Sequence, residues 1–137
     1  MMVGTRVLDS YALLAFLGGE AGADEVRRLL LRAEEGNTKL AMTTVNLSEV
    51  WYVIARSETD DVADRFVQDI QGMAVEIVDV DWGLARQAAH FKAKAGISYA
   101  DCFVAALAKA RKGEIVTGDR EFKRVEDEVR IAWLASR

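Results

Sequence analysis

The sequence predicts an α/β fold: a three-layer α/β/α sandwich built on a mainly parallel sheet of short strands. Two observations carry the prediction. Short apolar runs alternate with longer segments of helical period, and that alternation implies parallel pairing through right-handed crossovers. The chain has 137 residues and no proline, so glycines and short polar clusters supply the breaks between elements. That length suits a single domain over 1–137. A chain of this size buries about 68–70% of its unfolded surface, so folding requires neither disulfide nor structural metal.

The elements follow in order. Val7-Leu8 ahead of Asp9 reads as a short buried strand, and a helix starting near Ser10 runs through Tyr11–Leu17 and stops at Gly18-Gly19. Ala23–Glu35 is helical, with Val26, Leu29, Leu30 and Ala33 on one face, and Gly36-Asn37 ends it. Leu40–Thr43 reads as the second strand. Val45–Arg56 is a helix capped by Thr43 or Thr44, with Val45, Leu47, Val50, Trp51 and Ile54 in a broad apolar stripe. Asp61–Ile70 presents Val62, Phe66, Val67 and Ile70 on one face. Val75–Val80 alternates as a strand. Trp82–Ala95 returns to helix and stops at Gly96, and Tyr99–Arg111 is a helix with an apolar middle ended by Gly113. Ile115-Val116 is a buried strand, Arg120–Arg124 a single helical turn, and Val129–Leu134 a closing strand.

Composition narrows the function. Lys plus Arg number 18 against 22 Asp plus Glu, a net charge of −4, which excludes a protein that grips nucleic acid by bulk positive charge. It leaves open a nucleic-acid enzyme whose cleft holds metal ions. The single cysteine, Cys102, has no internal partner, which fits a reducing compartment, and it reads as a small buried hydrophobe. No run approaches the roughly 20 apolar residues that span a bilayer, and no signal peptide is evident. A cytoplasmic protein without a membrane partner is the expectation.

Ligands in parallel α/β sheets sit beyond the carboxyl ends of the strands. Asp9 directly follows the first strand and Asp119 follows another, in Ile115-Val116-Thr117-Gly118-Asp119. Asp101 falls in the first turn of its helix and Glu49 in the early part of the helix after the second strand. Each acid has a plain structural reading. Asp9 can be an N-cap, Ser98-Tyr99-Ala100-Asp101 is a capping box, Glu49 can be an exposed helix acid, and Gly118-Asp119 is a turn signal. Together they can face one end of the sheet. Two unit charges 4 Å apart repel by about 4 kcal/mol at an effective dielectric of 20, so such a group needs protons or divalent cations. Oxygen ligands without His or Cys select Mg²⁺ or Mn²⁺ over zinc.

On these residues the chain resembles the PIN-domain ribonucleases, in particular the VapC-type toxins of toxin–antitoxin pairs. Val7-Leu8-Asp9-Ser10, Thr44-Val45-Asn46-Leu47-Ser48-Glu49-Val50, Ile97–Ala108 around Asp101, and Ile115–Phe122 around Asp119 are similar to the four motifs of that family, in its order and spacing. The resemblance covers essentially the whole chain. It implies a metal-dependent endoribonuclease in which Asp9, Glu49, Asp101 and Asp119 ligate Mg²⁺ or Mn²⁺ and hydrolyse RNA phosphodiesters. Thr117 and Ser10 would hydrogen-bond within the acidic pocket. A homodimer is implied too, with a VapB-like antitoxin blocking the acidic site. An RNA-processing nuclease outside toxin–antitoxin systems, or a silent binding module of the same fold, are the alternatives. A phosphotransfer enzyme with an Asp nucleophile would want a second Asp two residues after Asp9, where Tyr11 stands.

Other residues weigh less. Asn46 lies three before Glu49 on the same helix face and reads as an exposed helix-start residue or as a support or RNA contact at the site. Arg120, Lys123 and Arg124 follow the fourth motif and either meet RNA phosphates or form a solvated face. Lys92, Lys94, Lys109, Arg111 and Lys112 end helices, where cations favour the dipole. His90 has no partner at a ligand spacing. Trp51 reads as core, and Tyr52 as core or dimer surface.

Overall fold

A computed structural model describes residues 4–135. Its elements are β1 (Thr5–Leu8), α1 (Ser10–Gly18), α2 (Ala23–Glu34), β2 (Lys39–Thr43), α3 (Thr44–Ser57), α4 (Asp60–Gln71), β3 (Val75–Val78), α5 (Trp82–Ala95), α6 (Tyr99–Ala110), β4 (Glu114–Thr117), a 3₁₀ helix (Arg120–Val125) and β5 (Arg130–Trp133). The five strands form one sheet of order β3-β2-β1-β4-β5. Every neighbouring pair is parallel, with Val7 opposite Ala41 on one side and Ile115 on the other. The predicted α/β sandwich is therefore the fold.

Side-chain alternation along the strands makes the three layers. Val7, Ala41 and Ile115 point into a core shared with Phe91 of α5 and Phe103, Val104 and Leu107 of α6. Their neighbours Leu8, Leu40, Met42 and Val116 point the other way, against Leu13, Val26, Leu30, Val50 and Ile54 from α1, α2 and α3. Ile70 of α4 closes that second core. Cys102 lies fully buried among the α6 residues of the first core, as a small hydrophobe would.

Local chemistry sets the helix ends. Thr43, not Thr44, caps α3, accepting from Asn46 N–H at 3.1 Å. Thr59 caps α4, which begins at Asp60 and not Asp61. Gly19 closes α1 at φ 63°, a left-handed conformation that favours glycine. Gly113 has another reason: a Cβ there would stand 2.1 Å from the Thr5 carbonyl oxygen, so only glycine lets the chain entering β4 pass β1.

Boundaries differ from the sequence expectation in small ways. β3 ends at Val78, two residues early, while Val80 continues to pack on the core from the loop. β5 is trimmed to Arg130–Trp133. Arg120–Val125 is 3₁₀, with Phe122 and Val125 buried. A pattern of apolar residues marks what is buried but not where the ladder of hydrogen bonds stops.

β1 pairs with both β2 and β4, and this positions the site. The chain runs from β1 to β2 and β3 on one side, then returns to β4 and β5 on the other. The turns after β1 and β4 therefore diverge at a topological switch point, where such sheets open a crevice.

Candidate active site

Asp9 and Asp119 follow the two strands that flank this crevice. Asp9 is 1% exposed and caps α1, its Oδ1 accepting from Ala12 N–H at 2.8 Å. Its Oδ2 accepts a short hydrogen bond from the hydroxyl of Thr117, the last residue of β4. Thr117 Oγ1 in turn accepts from Asp119 N–H at 2.9 Å. One fully buried threonine thus ties the first acid to the backbone of the last. Asp119 caps the 3₁₀ helix, accepting from Glu121 N–H at 3.0 Å.

Asp101 enters from α6. Ser98 caps that helix and accepts from Asp101 N–H at 3.3 Å, so the Asp101 side chain projects from the first turn. Glu49 enters from α3. Its Oε1 accepts from Ser10 Oγ at 2.6 Å, and Tyr52 Oη stands 3.5 Å from its Oε2. Asn46 is fully buried and not an exposed helix-start residue. Its Nδ2 donates to the Ala100 carbonyl at 3.0 Å, while its Oδ1 accepts from Thr43 Oγ1. It joins the helix carrying Glu49 to the turn carrying Asp101.

Of the four predicted acids, Asp101 and Asp119 bring their ligand oxygens together, while Asp9 and Glu49 reach Asp101 electrostatically and are held by Thr117 and Ser10. The capping role weighed against the site for Asp9 coexists with it, and Asp119, read as a turn residue, proves to be a cap as well. A fifth acid, Glu121, was missed in the sequence. Its carboxylate joins Asp101 and Asp119, with ligand oxygens of the three within 4.8 Å of one another. The signal was present in Asp119-Arg120-Glu121, where a 3₁₀ turn at Asp119 carries the second acid back over the first.

The electrostatics are strained as expected for crowded carboxylates. Burial pushes the Asp9 carboxyl up from 3.8 to about 7; Thr117 and the Ala12 N–H oppose this, while Asp101 and Asp119 add to it. Burial likewise raises Asp101 to about 6, opposed by Ser98 and reinforced by Asp119, Glu49 and Glu121. Asp101 is thus the acid that links the group, interacting with Asp119, Glu49 and Glu121 and raising Asp9 in turn. The donor set consists of carboxylate and hydroxyl oxygens, which fits a hard divalent cation. Such an ion would relieve both the repulsion and the desolvation.

The cations of the last motif have other contacts. The Arg120 guanidinium sits 4.9 Å over the Trp133 ring, and Arg124 Nη1 donates to the Gly96 carbonyl at 3.1 Å. Lys123 is exposed. Four of the five helix-ending cations have partners within the fold: Lys92 holds the Ile97 carbonyl, Lys94 and Lys109 pair with Glu128, and Arg111 pairs with Glu76. Trp51 packs on the second core and bonds Asp64, whereas Tyr52 is 45% exposed.

The class is an all-parallel α/β sandwich with acids clustered at its switch point. Comparison makes it specific: a family model of the PIN domain matches residues 6–128, and the chain belongs to that family. No curated protein matches the chain in sequence. Among solved structures, a chain of VapBC2 from Rickettsia felis bound to a DNA fragment from their promoter superposes with TM-score 0.74, at 20% identity, over 96% of this chain and 99% of that one. DNA-bound VapBC from Salmonella typhimurium gives 0.73 at 20% identity, over 96% and 98%. VapC20 of Mycobacterium tuberculosis, a sarcin–ricin loop cleaving toxin, gives 0.68 at 16% identity, over 88% and 93%. At these identities the likeness is one of fold. Among the described residues no helix is long and apolar enough to cross a membrane.

Proposed function

We propose that the chain is a divalent-metal-dependent endoribonuclease acting as the cytoplasmic toxin of a VapBC-type pair. The observation that carries this reading is the convergence of Asp9, Glu49, Asp101 and Asp119 at the switch point, with two of them driven towards neutrality by burial and by one another. Asp9, Glu49, Asp101 and Asp119 would hold Mg²⁺ or Mn²⁺, with Glu121 at the rim. When bound, such an ion neutralises phosphate charge and activates water for hydrolysis. The chain's own residues orient the ligands. Ser10 holds Glu49, Thr117 holds Asp9 and the Asp119 backbone, and Asn46 fixes α3 against the turn before Asp101. Arg120, Lys123 and Arg124 follow Asp119 on the 3₁₀ helix and would meet RNA phosphates.

The VapBC neighbours support a VapB-like antitoxin as partner, and the VapC20 neighbour supports RNA as substrate. A homodimer belongs to the same proposal: Tyr52 and Val53, 45% and 36% exposed, leave apolar surface on α3. The test is cleavage of a structured RNA pool by purified protein with Mg²⁺ or Mn²⁺ against EDTA, beside Asp101→Asn. Metal-dependent cutting that vanishes in the variant supports the reading, and equal cutting by wild type and variant refutes the site.

A further inference from the structure

We propose that Tyr11 is the base-stacking residue of the substrate site, receiving an unpaired nucleobase of the RNA next to the scissile phosphate. The inference rests on the nuclease reading and adds to it where the nucleobase sits. Three observations lead to it. First, the Tyr11 ring lies against Gly118, between Thr117 and Asp119: a Cβ on Gly118 would fall 2.4 Å from Tyr11 Cε1 and 3.0 Å from its hydroxyl oxygen. The ring is thereby held beside the carboxylates with little freedom left to lose on binding. Second, it remains 37% exposed and walls a pocket of about 260 Å³ whose other sides are Leu14, Ala15, Ala21 and Glu20, so one ring borders both Gly118 of the last motif and a mainly apolar slot along α1. Third, the chain carries a net charge of −4, and two nearby cations are already engaged, Arg120 on Trp133 and Arg124 on the Gly96 carbonyl. Phosphate contacts alone are a poor source of affinity for such a surface. Stacking on an aromatic ring contributes about 1–3 kcal/mol per base, and it is the term this surface offers.

The test is a double-mutant cycle between the ring and the base. The probe is a short oligoribonucleotide of mixed sequence and its derivatives with one nucleoside replaced by an abasic ribose. Each is measured for binding and for cleavage in Mn²⁺. With wild type, the abasic position that pairs with Tyr11 is expected to lose about tenfold. Tyr11→Ala is expected to lose a similar factor on the intact RNA and to show no further loss at that position. Tyr11→Phe keeps the wild-type values, as does Trp82→Ala, which removes an exposed ring at the start of α5. Should Tyr11→Ala not fold, Tyr11→Leu fills the space without an aromatic face and serves in its place. Penalties that multiply would overturn the proposal, because ring and base then act independently. Unchanged RNA binding and cleavage in Tyr11→Ala would also overturn it and leave the pocket to a protein partner. If wild type binds RNA without cutting it, the nuclease reading fails while the cycle in binding still decides Tyr11. If it neither binds nor cuts, both fail.

Discussion

Replacing Asp9 by Asn should stabilise the metal-free protein at neutral and alkaline pH while abolishing any activity that depends on the site. The Asp9 carboxyl ordinarily titrates at 3.8 and is raised to about 7 in the folded chain. A raised carboxyl makes its full contribution to stability below its unfolded value and loses it as pH climbs through the folded one. Three units at about 1.4 kcal/mol each give a loss of roughly 4 kcal/mol across that window. Most of it, about 3 kcal/mol, falls between about pH 5 and pH 8. Asn is neutral throughout and keeps the shape. Its carbonyl can accept from Ala12 N–H and its amide can donate to Thr117, for a net change of about 1 kcal/mol either way. The assay is urea unfolding in EDTA across this pH range, read as the difference between wild type and Asp9→Asn, so that other titrating groups cancel. The variant should gain about 3 kcal/mol on wild type from acid to alkaline pH. Mn²⁺ at about a hundred times its dissociation constant should then raise wild type by about 3 kcal/mol and the variant by much less. Parallel curves in EDTA would refute the reasoning, for they would mean that Asp9 pays no desolvation cost in the folded chain.

Further outcomes follow from the same geometry. Asp9→Ala removes the cap as well as the charge, so near pH 5 it should be less stable than wild type by about 2 kcal/mol, and above pH 8 it should overtake wild type by about 1 kcal/mol; urea unfolding at both ends checks this. Thr117→Val keeps the shape but leaves Asp9 and the Asp119 N–H without their partner; it should cost about 1–3 kcal/mol and weaken Mn²⁺ binding, as read by calorimetry. Asn46→Ala strands the Thr43 hydroxyl and the Ala100 carbonyl, and should cost about 3 kcal/mol, with Mn²⁺ affinity down about tenfold. Gly113→Ala meets a backbone carbonyl that cannot move aside, and should cost about 3 kcal/mol in thermal unfolding while leaving the ligand set in place.

The layers and the order of elements were legible because each is written in side-chain period. Leu8 and Val7 alternate between two cores, and α2 and α4 show their buried stripes plainly. Asp9 and Asp119 could be singled out because strand-end placement is a matter of position along the chain, and Asp101 and Glu49 because each falls early in its helix. What escaped were features that depend on three-dimensional return. Asn46 looks like a helix-start polar residue, and only the packing of α3 against α6 turns it into a buried clamp. Glu121 looks like one more surface acid, and only the tight 3₁₀ turn brings it over Asp119 and Asp101. The ring of Tyr11 falls on a helical face with Leu14, and nothing in that spacing shows that Gly118 leaves room for it.

The acids and their supports follow one physical logic. Caps are free to carry charge because a helix N-terminus stabilises a carboxylate. Asp9 satisfies α1 with one oxygen, and its other oxygen takes the Thr117 hydroxyl. Those bonds lower its pKa, yet burial outweighs them and holds it near 7. The residual imbalance has to be supplied from outside the chain, by a proton at low pH or a cation at high pH. The strand order places that imbalance at the switch point, the one end of the sheet where the turns after β1 and β4 diverge and a phosphate can reach the carboxylates. Stability withheld from the metal-free fold at Asp9 and Asp101 is thus the same free energy that would draw a divalent ion to the crevice.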